Sequence, residues 1–252
     1  MTSRTHAGTE GKGTRMHERA AVFVGPGLTE RDFAGIDRDA LDVRRPIRRG
    51  DLAQAVESGY RTIAIIDGEF YHTLTVSPKE ILVALRGGVR ILGGSSMGAL
   101  RAAEMDVYGM QGVGRIYSWY HDGTVTRDDD VALMFGEIDE YSYRCTTVAM
   151  VNVMWAVREF KRLGLLPAAE RRKLSNAARR IHWTARCWPE ICARAGLGER
   201  DTAMVRQWAG EPENDLKRLD AKLVIERTTA LLHDGAEAPT AHHATKPEVV
   251  AP

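Results

Sequence analysis

Residues 89–105 read VRILGGSSMGALRAAEM. The run Val89–Leu92 has the length and branching of a buried strand, while Met97–Met105 carries small and apolar residues at helical spacing. Between them Gly93-Gly94-Ser95-Ser96 leaves room only for a sharp turn. A strand that passes straight into a helix belongs to a sheet of parallel strands with helical crossovers. The same alternation continues upstream, where AAVFV (20–24), ALDV (40–43) and RTIAII (61–66) read as strands. Helices are expected around 29–34, 51–58 and 78–86, and a last one at 97–107. The expected fold is α/β: a Rossmann-like, mostly parallel sheet with helices on both faces, followed by a C-terminal helical region.

That region begins near residue 140. VAMVNVMWAVREFKRLG (148–164) has apolar residues three and four apart and a Gly stop, AAERRKLSNAARRIHWTARCW (168–188) continues after Pro167, and NDLKRLDAKLVIERTTALL (214–232) is a third helical stretch. Residues 1–18 and 234–252 lack such periodicity and read as tails. The expected organisation is therefore an α/β core over 19–140 and a helical region over 141–233 between two tails.

Composition narrows the function. Of 252 residues 44% are hydrophobic, enough for a real core. Lys and Arg number 35 against 34 Asp and Glu. No global field then draws the chain to nucleic acid or an anionic membrane. There is no apolar run of the ~20 residues that span a bilayer, and the N-terminus lacks the apolar core of a signal peptide, so a cytoplasmic location is expected. The three cysteines, Cys145, Cys187 and Cys192, do not form a disulfide framework or a zinc site. Asp128-Asp129-Asp130 lacks the spaced ligands of a calcium loop and reads as a helix start. No metal or cofactor is expected.

In parallel sheets ligands bind beyond the carboxyl ends of the strands, so the residues that follow each strand are the ones to inspect. After AVFV come Gly25-Pro26-Gly27, a turn that matches no phosphate-loop pattern. After TIAII come Asp67-Gly68-Glu69-Phe70-Tyr71-His72, which bring two carboxylates and an imidazole to that edge. Ser77-Pro78-Lys79-Glu80 then reads as a helix start, with Lys79 in its first turn. After VRIL comes Gly94-Ser95-Ser96-Met97-Gly98, a G-x-S-x-G in the strand-turn-helix context that exposes a nucleophilic serine in α/β hydrolases. Ser96 is the candidate nucleophile and Ser95 the fallback. Its base is less plain. His121 and His182 follow in the chain but in no evident post-strand loop, whereas His72, with Asp67 or Glu69, and Lys79 sit at the right edge. Without a base, the same turn would bind an anion through backbone N–H groups at a helix start. Arg101 and Glu104, three apart on the helix, form a surface pair or let Arg101 hold a carboxylate or thiocarboxylate.

Taken together, VFVGPGL (22–28), RRGDL (48–52), IIDGEFYHTLTVSPKEILVAL (65–85), ILGGSSMGALRAAEMDVYGMQGVGRIYSWYHDG (91–123) and DDDVAL (128–133) resemble the TfuA-like family. The resemblance covers about half the chain. It implies a partner of YcaO enzymes, which convert peptide amides to thioamides in ribosomally made peptides. The TfuA-like protein would supply sulfur by hydrolysing a thiocarboxylated ThiS-type sulfur carrier protein, with the precursor peptide as a further partner. Many members have His-Lys-Glu where this chain has Pro78-Lys79-Glu80, and proline cannot act as a base. On this view Ser96, His72, Asp67, Glu69 and Lys79 are catalytic candidates, and Gly25, Gly68, Gly94, Ser95, Met97, Arg101 and Glu104 surround the substrate. The rival expectations are a module that recruits carrier or peptide to YcaO without chemistry, and a persulfide relay through the cysteines.

Overall fold

The computed structural model describes residues 19–25, 28–69, 73–139 and 142–233. Its main sheet holds five parallel strands: β1 (Ala20–Phe23), β2 (Leu41–Arg44), β3 (Thr62–Ile65), β4 (Arg90–Gly94) and β5 (Gln111–Val113). Their spatial order is β2-β1-β3-β4-β5. From β1 the chain steps outward to β2 and then returns to lay β3 on the other side. The carboxyl ends of β1 and β3 therefore flank the switch point at which such sheets bind ligands. The expected α/β, Rossmann-like class is what the chain adopts. β5 goes beyond the expectation, because Gln111-Gly112-Val113 is too short and glycine-rich to show a period.

Alternate residues of each strand enter opposite cores, as the pleat requires. Ala21, Phe23, Ile63, Ile65 and Ile91 pack with α1 (Asp51–Glu57), α2 (Pro78–Arg86) and α3 (Met97–Met105). Ala20, Val22, Ala64 and Ile66 face the other way, onto Ala221, Val224 and Ile225. These belong to the last helix, which is numbered α9 after five intervening ones and spans Leu216–His233. Thus the final element of the C-terminal region covers the sheet's second face.

The start of α2 follows its sequence signal: Ser77 Oγ accepts from Glu80 N at 3.3 Å and Glu80 Oε2 accepts from Ser77 N at 2.9 Å. After β5 come α4 (Gly114–His121) and a single 3-10 turn at Asp128–Asp130, where the acidic triplet starts no longer helix. An antiparallel hairpin, β6 (Phe135–Asp139) and β7 (Ser142–Cys145), leads into α5 (Met150–Arg162), α6 (Ala168–Arg180), α7 (Trp188–Ala195) and α8 (Glu199–Gly210). These four helices bury a separate core around Val153, Phe160, Leu174, Ile191 and Val205. No helix among the described residues is long and apolar enough to cross a membrane.

α9 is bound to the rest by polar as well as apolar contacts. The Asp220 carboxylate accepts from Arg115 N at 3.0 Å and Ile116 N at 2.7 Å, and so closes the N-terminus of α4. A Cβ at Gly114, whose φ is +92°, would lie 2.4 Å from the Asp220 carboxyl carbon, which keeps that approach open only to glycine. Burial raises the Asp220 pKa from 3.8 to about 6, opposed by the two backbone N–H groups and Arg115. A folded-state pKa above the unfolded one means that this group's stabilisation is complete at acid pH and is lost as pH rises through 6. At about 1.4 kcal/mol per unit, the stability of the wild type relative to Asp220→Asn should fall by about 2–3 kcal/mol between pH 4 and 7. Denaturant unfolding of both proteins across that range measures it, and parallel profiles would show that Asp220 does not titrate as described.

Candidate functional site

The site is built on the turn between β4 and α3. Gly98 lets α3 press against the neighbouring strand, since a Cβ there would stand 1.7 Å from the Ile65 carbonyl oxygen. Its N–H donates to Ile66 O at 3.2 Å. Ala99 N and Leu100 N donate to the Ser96 carbonyl at 2.9 and 3.3 Å. Ser96 is thus the N-cap of α3 by position, yet its side chain makes no capping hydrogen bond. The N–H groups that an N-cap serine normally serves are already satisfied. Ser96 is only 6% exposed, and its hydroxyl has no hydrogen-bond partner among the described residues. Met97 N–H, at the first helical position, likewise has no acceptor among the described residues, so within them the turn offers one first-turn donor rather than a ring of them.

Ser95 is used differently. It is the one non-glycine residue with positive φ (64°) among those described, a conformation that costs about 1–2 kcal/mol. Its Oγ donates to the Lys217 carbonyl at 2.8 Å, 122 residues away. Gly94 beneath it admits no side chain, because a Cβ would meet Val113 O and Val224 Cγ2 at 2.5 Å each.

The loop after β3 supplies the acids. Asp67 is buried, and its Oδ2 accepts from Gly25 N at 2.9 Å, so the ends of β1 and β3 are joined at the switch point. Gly68 lies against the Met97 side chain, where a Cβ would stand 2.8 Å from Cγ. Asp67, Gly68, Met97 and Ser96 are therefore neighbours. Glu69 is turned to Arg48, with Thr73 Oγ1 at 3.5 Å on its other oxygen. His72 lies outside the described residues.

Five further candidates are occupied or displaced. Arg101 Nε donates to Val76 O at 3.0 Å and Nη1 to Glu104 Oε2 at 2.6 Å. Its guanidinium thereby fastens the segment before α2, and Glu104 completes that fastening. Lys79 is exposed on the first turn of α2, without a hydrogen bond or ion pair among the described residues. His121 bonds Asp106, the residue that ends α3, about 14 Å of helix away from Ser96. His182 caps a 3-10 turn at Trp183–Ala185.

Lys217 is the residue at this candidate site that sequence reasoning misses. It is 2% exposed, its Nζ donates to Val131 O at 3.0 Å and stands 3.8 Å from Asp67 Oδ1. The only sequence signal is a lysine at a core-facing position in the first turn of an amphipathic helix.

A family model described as TfuA-like protein matches residues 67–187. Over that segment the chain is a TfuA-like protein. No curated protein matches it. The matched segment of the TfuA-like chain runs from the switch-point carboxylate through the serine turn, the hairpin, α5 and α6. Gly25 and Lys217, which complete the geometry, lie outside it.

Of the cysteines, Cys145 is within electrostatic reach of Lys217 and Asp67. Cys145 and Cys187 line a cleft of about 330 Å³ with Asn152, Trp188 and Asp215. Desolvation pushes the Cys145 thiol up to about 11, and burial raises Cys192 as well. Both are protonated at neutral pH and are weak nucleophiles.

The two serines should separate experimentally. Ser95→Ala leaves the Lys217 carbonyl without its donor in a buried place, at a cost of about 1–3 kcal/mol. Ser96→Ala removes no hydrogen bond among the described residues and should change stability by less than about 0.5 kcal/mol. Equilibrium unfolding of both variants decides it, and equal losses would contradict the assignment.

Proposed function

We propose that this TfuA-like protein supplies sulfur to a YcaO enzyme for backbone thioamidation of a ribosomally made peptide, by hydrolysing a thiocarboxylated ThiS-type carrier. The single observation that carries this reading is the buried Ser96 hydroxyl, which makes no hydrogen bond among the described residues, in a turn whose next residue, Met97, packs against the Gly68 that follows Asp67. The reaction is R–COS⁻ + H₂O → R–COO⁻ + H₂S. Either the Ser96 oxygen attacks the thiocarboxylate carbon, the C–S bond breaks to release sulfide and water then hydrolyses the Ser96 ester to the carboxylate, or Ser96 orients the water that displaces sulfide directly. Met97 N–H faces the oxygen on which charge develops. Asp67, His72 and Glu69 serve as the acid-base and positioning groups, and Arg101 holds the loop that carries them. Sulfide released beside YcaO is then available to the amide that YcaO activates.

A second reading is favoured by a specific observation: no imidazole lies near Ser96 among the described residues. On that reading the chain binds the carrier or the precursor peptide for YcaO and makes no covalent change.

Purified thiocarboxylated carrier distinguishes them. Wild type should release sulfide, and Ser96→Ala should lower the rate by roughly 10³-fold while remaining folded. Carrier binding with no release by the wild type, alone or with YcaO, would leave only the recruiting role.

A further inference from the structure

We propose that the outer face of the α5–α6 hairpin, with the groove beside it between α4, α5 and α9, docks an acidic amphipathic helix of a partner protein. The proposal goes beyond the reading above and does not depend on any chemistry at Ser96.

Charge leads to this face. The chain as a whole is nearly balanced, with 35 Lys and Arg against 34 Asp and Glu, but residues 150–180 hold eight of the former and two of the latter. The rest of the chain is net negative, so the positive excess is confined to one hairpin. Both acids within it are spent, Glu159 on Arg162 at 2.6 Å and Glu170 on Lys173 at 3.1 Å. Arg158, Lys161, Arg171, Arg172, Arg179 and Arg180 have no carboxylate in ion-pair range among the described residues.

Their spacing makes a surface of them. α5 and α6 are joined by residues 163–167 and run antiparallel. Arg179 Nη2 reaches the Met154 sulfur at 3.8 Å, which sets the register of the two helices. Met154, Arg158 and Lys161 are four and three apart on α5, and Arg172, Asn176 and Arg179 repeat that spacing on α6, so each set forms one stripe. The stripes lie side by side over about 10 Å, the length of seven helical residues. Asp122 and Asp130 act on Arg158 and Arg179 only from beyond ion-pair distance.

The groove supplies the apolar half. It holds about 890 Å³, and its walls include Trp119, Trp155, Leu216, Leu219 and Leu223. Leu223 is 46% exposed. The three leucines recur three and four apart along one stripe of α9. Arg115 and Arg158 lie over the rings of Trp155 and Trp119, at 5.2 and 5.4 Å from their centroids, so cations border the apolar strip where it meets α5. An occupant must bring carboxylates on one side and large apolar side chains at helical spacing on the other. An acidic amphipathic helix has both. Nucleic acid would match the cations but set nothing against the leucines, and Asp122 and Glu226 in the groove wall repel phosphates. A membrane surface needs a broad apolar face, whereas this strip lies in a groove between helices.

The test follows the anisotropy of a fluorescein-labelled peptide titrated with full-length protein. The probe has about 15 residues, four helical turns, with Leu at helical spacing among Glu and Ala. A peptide of the same composition with its leucines scrambled is the control. Wild type should bind the ordered peptide about tenfold more tightly than the scrambled one, and lose affinity as salt rises. Arg158→Glu and Arg172→Glu together should weaken binding by about tenfold or more, and Leu223→Ser by about tenfold. Arg86→Glu makes the same charge change on the exposed end of α2 and should leave binding unaltered. Equal binding of both peptides by the wild type, or equal losses from Arg86→Glu and Arg172→Glu, would overturn the proposal. So would tighter binding of oligothymidine, or of phosphatidylserine vesicles, that the doubly reversed protein loses. The comparison of the two peptides needs only the wild type, so it stands even if a variant fails to fold. Sulfide release reads the chemistry at Ser96 separately.

Discussion

The contact between the backbone of Gly98 and the end of β3 governs the geometry of the whole edge. The approach is so close that no side chain fits, and it gives the Gly98 N–H to Ile66 O rather than to a capping side chain. Two consequences follow in opposite directions along the chain. Ser96 is released from the usual duty of an N-cap, which leaves a buried hydroxyl without a partner among the described residues. Ser95, one residue earlier, must take up the abrupt change of direction and enters the left-handed region. Its strain is offset by the hydrogen bond to Lys217 O, a bond that α9 alone can supply.

α9 is accordingly more than a lid on an apolar face. Val224 and Ile225 cover the sheet, but within one turn and a half the helix also places Lys217 toward Asp67, Arg218 on Asp32 and Asp220 on the start of α4. Each contact ends at a loop that follows a parallel strand or at the helix that follows one. Asp32 in turn accepts from Thr29 N at 2.8 Å and Oγ1 at 2.9 Å, so the loop after β1 is tied to the same helix. The carboxyl edge of the sheet is thus cross-linked by one amphipathic element. The charges it brings there are buried, which strengthens their mutual interactions and raises the penalty for leaving any of them unmatched.

How much of this was legible follows from range. Strands β1, β3 and β4 announce themselves because both faces are buried and each reads as a continuous apolar run. The α2 start was legible because a capping box is local, four residues long, and all its partners are in the quoted segment. The serine turn was legible as a motif but not as a division of labour: which serine is strained and which is free depends on Gly98 meeting Ile65, some thirty residues upstream. β5 was hidden by its glycines, and the role of Arg101 by a partner, Val76 O, that is a backbone atom with no sequence identity. Lys217 was least legible of all. Its meaning arises from a carbonyl at Val131, a carboxylate at Asp67 and a hydroxyl at Ser95, and no local pattern records that they converge.

The departure at Pro78-Lys79-Glu80 becomes intelligible in these terms. Pro78 occupies the first turn of α2, where its missing N–H costs nothing. Glu80 is committed on both oxygens, to the Ser77 N–H and to Gly50 N at 2.6 Å, which binds the start of α2 to the start of α1. Lys79 is exposed to water. None of the three is built to act as a buried acid or base, and the triplet instead fixes where two helices begin. Charge at the serine turn must then come from elsewhere. Asp67 and Lys217 are the two described groups whose charge is buried there. Their approach is loose, with Lys217 Nζ 3.8 Å from Asp67 Oδ1, and the ammonium is anchored instead by the Val131 carbonyl at 3.0 Å.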